Sequence, residues 1–173
     1  FLNVCIHRLP LEQSIVFPAS HCPECSTELR WYHNIPVLSF LFLRGRCRFC
    51  AARISWRYPT VEILNALFYT AVFHISGYSL TSLVLFVFIS ALIVITFIDL
   101  DHRIIPDLIS LPGIVLGFAA SFILPWVSWQ SSILGILLGG GSLFSVAYIY
   151  AFFTGKEGMG HGDFKLLAAL GAW

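Results

Sequence analysis

Read for its pattern of apolar and polar positions, the chain divides near residue 60. Before that point apolar residues come singly or in short runs, interrupted by Arg, Glu, Ser, Pro and paired Cys. Beyond it they form four long stretches, roughly residues 60–76, 80–98, 108–126 and 132–153, and a fifth opens near Phe164. Each approaches the ~20 residues a helix needs to cross ~30 Å of hydrocarbon. One such stretch fits a buried helix of a soluble protein equally well, but four in series point to a membrane bundle. The expected architecture is an all-α polytopic membrane protein: residues 1–59 form a small polar module and residues 60–173 a transmembrane domain. Pro106-Asp107 reads as a turn whose Asp caps the third span. Glycines 139, 140 and 141 mark either a close helix contact or a kink in the fourth.

Composition sharpens this division. The chain is 58% hydrophobic and 11% charged, against about 25% charged for an ordinary soluble domain. Seven of its ten Lys and Arg (Arg8, Arg30, Arg44, Arg46, Arg48, Arg53, Arg57) precede residue 60, opposed there by Glu12, Glu24 and Glu28. This local excess favours apposition to anionic lipid over nucleic acid, and the module is expected to bind no nucleic acid. The links "HISGYS" and "PWVSWQ" contain no Lys, Arg, Asp or Glu, whereas the N-terminal module, "DLDHRIIPD" and "TGKEGMGHGDFK" hold every Lys and Arg. The positive-inside rule assigns those three segments to the cytoplasm. The chain begins with Phe, has its one Met at 159 and stops inside an apolar run, so it reads as a piece trimmed at both ends.

In the polar module, "HCPEC" and "CRFC" pair Cys22 with Cys25 and Cys47 with Cys50. Two CxxC knuckles suit tetrahedral zinc, because each supplies two thiolates from a tight turn and four thiolates close the shell. Disulfides are the alternative, disfavoured by a reducing cytoplasm. The metal would staple a module with few large apolar runs. Cys5 reads as a buried small hydrophobe, and His21 and His33 are unneeded as ligands.

Two acids stand at the edges of apolar stretches. Asp99 ends the second in "TFIDLDHRIIPD", and Asp163 opens the fifth in "GHGDF", behind Gly158, Gly160 and Gly162. An ionisable group at the membrane is a functional-site hypothesis by default. Two neighbouring carboxylates can share a proton, one acting as base toward water while the other donates to a carbonyl. Glycines would let an extended peptide backbone approach closely. The bland alternatives are that Asp163 caps a helix and Asp99 is an interfacial charge. Asp101 and Asp107 are competitors, the second already explained as a cap. His102, Arg103, His161 and Lys165 read as surface groups near the site, and His74 as interfacial. Glu62 stands where it would either contact a substrate amine or methyl donor or anchor the basic module.

The segments "FLNVCIHRLP", "SHCPECSTELRWYHNIPVLSF", "LRGRCRFCAARISWRYPTVE", "TFIDLDHRIIPD" and "GMGHGDFKLLAALGAW" together resemble the bacterial type IV prepilin peptidases, bifunctional leader peptidases and N-methyltransferases. The resemblance implies that Asp99 and Asp163 are the catalytic pair and that Cys22, Cys25, Cys47 and Cys50 bind zinc. It also implies cleavage of the leader of prepilins or pseudopilins on the cytoplasmic side of the inner membrane, typically between Gly and Phe. Methylation of the new N-terminus by S-adenosylmethionine would follow, in the service of type IV pili or type II secretion. A peptidase lacking the methyltransferase activity is the nearer alternative. No glycine-rich nucleotide turn follows a strand, so the sequence marks no donor pocket. A proton-coupled transporter would need polar residues along the spans, and those spans have almost none. A non-catalytic membrane scaffold is the third reading.

Overall fold

The structure, a computed structural model, describes residues 1–30, 35–155 and 160–173. Among these residues there are helices, turns and two isolated bridges, and no strand. The chain packs as two units, Phe1–Ile75 and Ser76–Trp173. This packing boundary lies at the end of the first apolar stretch, whereas the change in composition lies at its start.

The first unit contains α1 (Leu2–Arg8), a 3-10 turn (Leu9–Leu11), the short α2 (Leu38–Phe42) and α3 (Arg57–Ser76). Its core is small, with Cys5, Ile6, Cys22, Pro59 and Val61 buried. Arg8 is buried too, and its guanidinium donates to the carbonyls of Ser14 at 3.0 Å and Pro18 at 2.8 Å. Those acceptors offset the desolvation that an enclosed cation would otherwise suffer. Asn3 donates to the Tyr58 carbonyl at 3.1 Å, tying α1 to α3. Pro59 sits in the first turn of α3, where a helix does not use its amide hydrogens and the missing N–H is harmless.

Among the described helices, two are long and apolar enough to cross a membrane: α4 (Leu80–His102) and α6 (Trp129–Thr154). The expected first span, α3, is long enough at 20 residues, but Glu62, Asn65, Thr70 and His74 dilute it. The third stretch gives α5 (Asp107–Ala120), 14 residues long, and a further turn that ends where Leu124 donates to Ala120 at 2.8 Å. Two serines absent from the expected boundaries begin the long helices. Ser79 accepts from the Ser82 amide at 3.2 Å and Ser128 from the Ser131 amide at 3.1 Å, each satisfying a first-turn donor. Pro106, not Asp107, occupies the N-cap of α5, so Asp107 is its first helical residue and its carboxylate is left for other work.

The second unit closes around α7 (His161–Ala172), which packs on α5 and α6. Its contact with α6 is backbone on backbone. A Cβ at Gly135 would overlap the Gly171 carbonyl, and one at Gly171 would overlap that of Gly135. One turn further, a Cβ at Gly139 would lie 2.6 Å from the Leu167 carbonyl oxygen, and one at Gly140 2.8 Å from the Ala168 Cβ. Small residues four apart permit this approach where lipid supplies no hydrophobic force between helices. The buried Ser132 hydroxyl donates to the Ala172 carbonyl at 2.7 Å across the same seam. Of the glycines expected to act here, Gly141 faces nothing within 4 Å. Against α5, the Trp173 indole donates to the Gly113 carbonyl at 3.1 Å and stacks on Phe88 of α4 at 4.4 Å. Ser110 of α5 is fully buried, and its hydroxyl has no partner among the described residues.

Candidate functional site

The four cysteines converge. The sulfurs of Cys22, Cys25, Cys47 and Cys50 all lie within 4.8 Å of one another. Cys22 and Cys50, from different knuckles, stand 3.8 Å apart. Zn–S bonds of ~2.3 Å in a tetrahedron place sulfurs ~3.8 Å apart, so the donor set fits that ion with a small contraction.

The knuckles are built alike. Cys22 donates its amide to Thr27 at 3.0 Å and accepts from Ser26 at 2.9 Å; Cys47 donates to Ala52 at 2.8 Å and accepts from Ala51 at 3.0 Å. Ser26 and Ala51, four residues after each first cysteine, both take positive φ, 54° and 58°. The antiparallel bridges His21–Glu28 and Arg46–Arg53 occupy equivalent places. Leu29 closes on Ser20 at 2.7 Å as Ile54 closes on Gly45 at 2.8 Å. The two ten-residue segments share only their cysteines, so this duplication is structural.

Local donors prepare the sulfurs for a cation. The Thr27 hydroxyl and amide hold the Cys25 thiol down at about 6, and the amides of Cys50 and Phe49 lower that of Cys47. At Cys50 the Ala52 amide works downward, but desolvation and the neighbouring sulfurs of Cys47, Cys25 and Cys22 push the thiol up to about 12. Four crowded thiols cannot all ionise without a positive charge among them. His21 turns its ring to the Ala19 carbonyl at 3.1 Å and is no ligand; His33 lies outside the described residues. Cys5 is buried, as expected. Glu62 accepts from the Val37 amide at 2.7 Å, the geometry of an anchor.

The two acid-bearing segments of the second unit also meet. Asp99 lies in the last turn of α4, which runs four residues past its expected end, and Asp163 is the third residue of α7. Gly160, not Asp163, is the N-cap of α7, and Asp163 stands in the first turn of that helix. A Cβ at Gly162 would lie 2.8 Å from the Ile105 Cβ, so the start of α7 abuts the loop after α4. Lys165 donates to both Asp107 oxygens at 2.8 and 2.7 Å, joining α7 to α5. That ion pair links residues read separately from sequence, one as a cap and one as a surface charge. Among the described residues Asp99 and Asp163 are exposed and have no side-chain hydrogen bond or ion pair, whereas Asp107 is occupied and Asp101 engaged. Gly158 lies outside the described residues.

Residues 1–75 match the Bacterial Peptidase A24 N-terminal domain, and residues 86–173 match the Type IV leader peptidase family. The chain belongs to the type IV leader peptidase family. Three of its relatives carry the name prepilin leader peptidase/N-methyltransferase. That of Pseudomonas putida is 41% identical over 195 residues, covering all of this chain and 68% of the relative. That of Dichelobacter nodosus is 44% identical over 206 residues, again covering the whole chain and 70% of the relative. That of Myxococcus xanthus is 42% identical over 173 residues, where the chain spans about half of the relative, 52%. No solved structure matches the chain. The leader peptidase match ends on the helix that carries Asp163, and the N-terminal match encloses both knuckles.

Proposed function

We propose that this chain is a multi-pass membrane aspartic endopeptidase that removes the leader of type IV prepilins or pseudopilins and N-methylates the exposed residue. In this reading Asp99 and Asp163 act on a water and the scissile carbonyl. One carboxylate takes a proton from the water as it attacks, and the other donates a hydrogen bond to the developing oxyanion, without a covalent intermediate. The carrying observation is the meeting of the two acid-bearing segments through Gly162–Ile105 and Lys165–Asp107, in which Asp99 and Asp163 are the described acids of those segments without a side-chain partner.

A bilayer setting is supported by exposure. Only 6% of the most apolar part of α6 and 22% of that of α4 are buried, unlike the core helices of a soluble protein. The distribution of Lys and Arg assigns the knuckles and both acids to the cytoplasmic side of the inner membrane, where a leader could arrive with its apolar part still in lipid. The four thiolates would hold a structural zinc, which fixes the fold of the first unit and leaves no open coordination position. For the methyl donor, S-adenosylmethionine, the described residues offer no strand and therefore no glycine-rich strand-to-helix turn.

The test uses the intact protein in lipid with a prepilin and a labelled methyl donor, reading cleavage and methylation separately. Asp99→Asn and Asp163→Asn each lower the cleavage rate by about 10²–10⁴-fold, while zinc content and helicity stay at the parent's level. Full cleavage by either variant sinks the assignment.

A further inference from the structure

The two knuckles have the same backbone and opposite surfaces. At the tip of the first stand Pro23 and Glu24; at the same places in the second stand Arg48 and Phe49. The bridge pair of the first is His21 with Glu28, and that of the second is Arg46 with Arg53. The flanking bonds, Cys47 to Ala52 and Ile54 to Gly45, make Arg46–Arg53 the pair without mutual hydrogen bonds, in which side chains stand closest. Like charges directly opposite are destabilising, so this arrangement favours an anion over both guanidinium groups.

The chain on either side of the second knuckle supplies no acid. Between Glu28 and Glu62 there is no Asp or Glu, while Arg44, Arg46, Arg48, Arg53 and Arg57 fall in that interval. A zinc tetrathiolate has a net charge of about −2 and is shared by both knuckles, so it leaves most of this charge unbalanced. Interleaved in sequence with the exposed Arg44, Arg46, Arg48 and Arg53 are exposed apolar groups: Leu41 and Phe42 of α2, Phe49 at the tip, and Trp56. Phe42 is 84% exposed and Trp56 74%. Exposed arginines interleaved along 16 residues with exposed aromatic and leucine side chains are the composition of a segment that rests at a lipid headgroup boundary, the cations on phosphate and the rings below.

We propose that the second knuckle, with α2 and Trp56, is a docking face for an anionic phospholipid surface, and that the first knuckle is turned to other work. The proposal builds on the bilayer setting above but on neither enzymatic activity. It also means that this face does not hold a basic leader peptide, which its arginines would repel.

The experiment is hydrogen exchange on the intact zinc-loaded protein in nanodiscs, following amides of residues 38–57. One set contains phosphatidylcholine alone and the other about 30% phosphatidylglycerol. Exchange slows about tenfold in the anionic discs, the slowing is lost in about 0.5 M salt, and residues 20–29 are indifferent to lipid. The variant Arg46→Gln/Arg48→Gln/Arg53→Gln exchanges alike in both discs while keeping its zinc. Equal protection of the parent in both lipids overturns the proposal, as does protection that appears only when RNA or an acidic peptide is added. The parent's lipid and salt dependence decides the matter even where the variant fails to fold, and loss of cleavage or methylation would not alter it.

Discussion

The N-terminal unit and the helical unit lack the same thing, an apolar core that closes by itself, and they make up for it differently. The first has few buried apolar side chains and gathers four sulfurs from two small loops. The second has apolar side chains in abundance, but many large ones are exposed, and in the bilayer setting proposed above helices surrounded by hydrocarbon gain little by touching. It relies on contact so close that Gly135 and Gly171 meet main chain to main chain. One unit is held at a point, the other along a seam, and they should fail differently.

The largest effect is expected at the point. Cys22→Ser/Cys47→Ser should remove the zinc proposed above and, with it, a binding free energy on the order of 10 kcal/mol. Hydrogen exchange should show residues 20–54 opening while α4 to α7 stay protected; on the activities proposed above, methylation falls and cleavage persists. Zinc retained by the double variant would refute the four-thiolate site. Acid should act at the same point. The Cys25 thiol is depressed from its ordinary 9.0 to about 6, so its thiolate contributes stability that is fully present above pH ~9 and lost as pH falls through ~6. Zinc must also displace the proton held by the raised Cys50 thiol, so zinc affinity, measured by chelator competition, falls throughout acidification and more steeply below about pH 6. An affinity flat between pH 7 and 5 would contradict it.

Next comes the seam. Gly135→Leu would drive a side chain into the Gly171 carbonyl and should cost about 3 kcal/mol or more. Gly141→Leu, which meets nothing within 4 Å, should be nearly silent. Thermal unfolding in detergent distinguishes them, and equal losses would mean that glycine here serves flexibility rather than approach. The smallest effect is at Ser110, whose buried hydroxyl lacks a partner among the described residues. Ser110→Ala should stabilise the helical unit by about 1 kcal/mol, a midpoint rise that the same melts would resolve. A fall would show that the hydroxyl is satisfied in the folded protein.

What the sequence made legible was local. The knuckles follow from cysteines three residues apart, and both acids stand out because each borders a long apolar stretch. What it concealed was pairwise. Asp107 and Lys165 are 58 residues apart, and each has an adequate local explanation that hides the other. Glycines 139 to 141 stand out as a run, yet the tightest contact belongs to Gly135 and Gly171, isolated in sequence and meaningful only once the helices cross. The likeness of the knuckles lies in main-chain bonds and two residues of positive φ, which no side chain encodes. Helix ends shifted for a similar reason: α4 runs on to His102 because its stop is conformational, Arg103 in the left-handed region at φ 54°.

That stop has a further consequence. The Arg103 amide closes on the carbonyl of Asp99 at 2.8 Å, so the proposed catalytic acid is also the residue on which the helix is tied off. One added or deleted residue between positions 99 and 103 would either undo the tie or turn the acid by about 100° around the helix axis. Length in this short interval should therefore be far less negotiable than identity, and lineages free to vary Leu100 or His102 would not be free to lengthen or shorten the chain there.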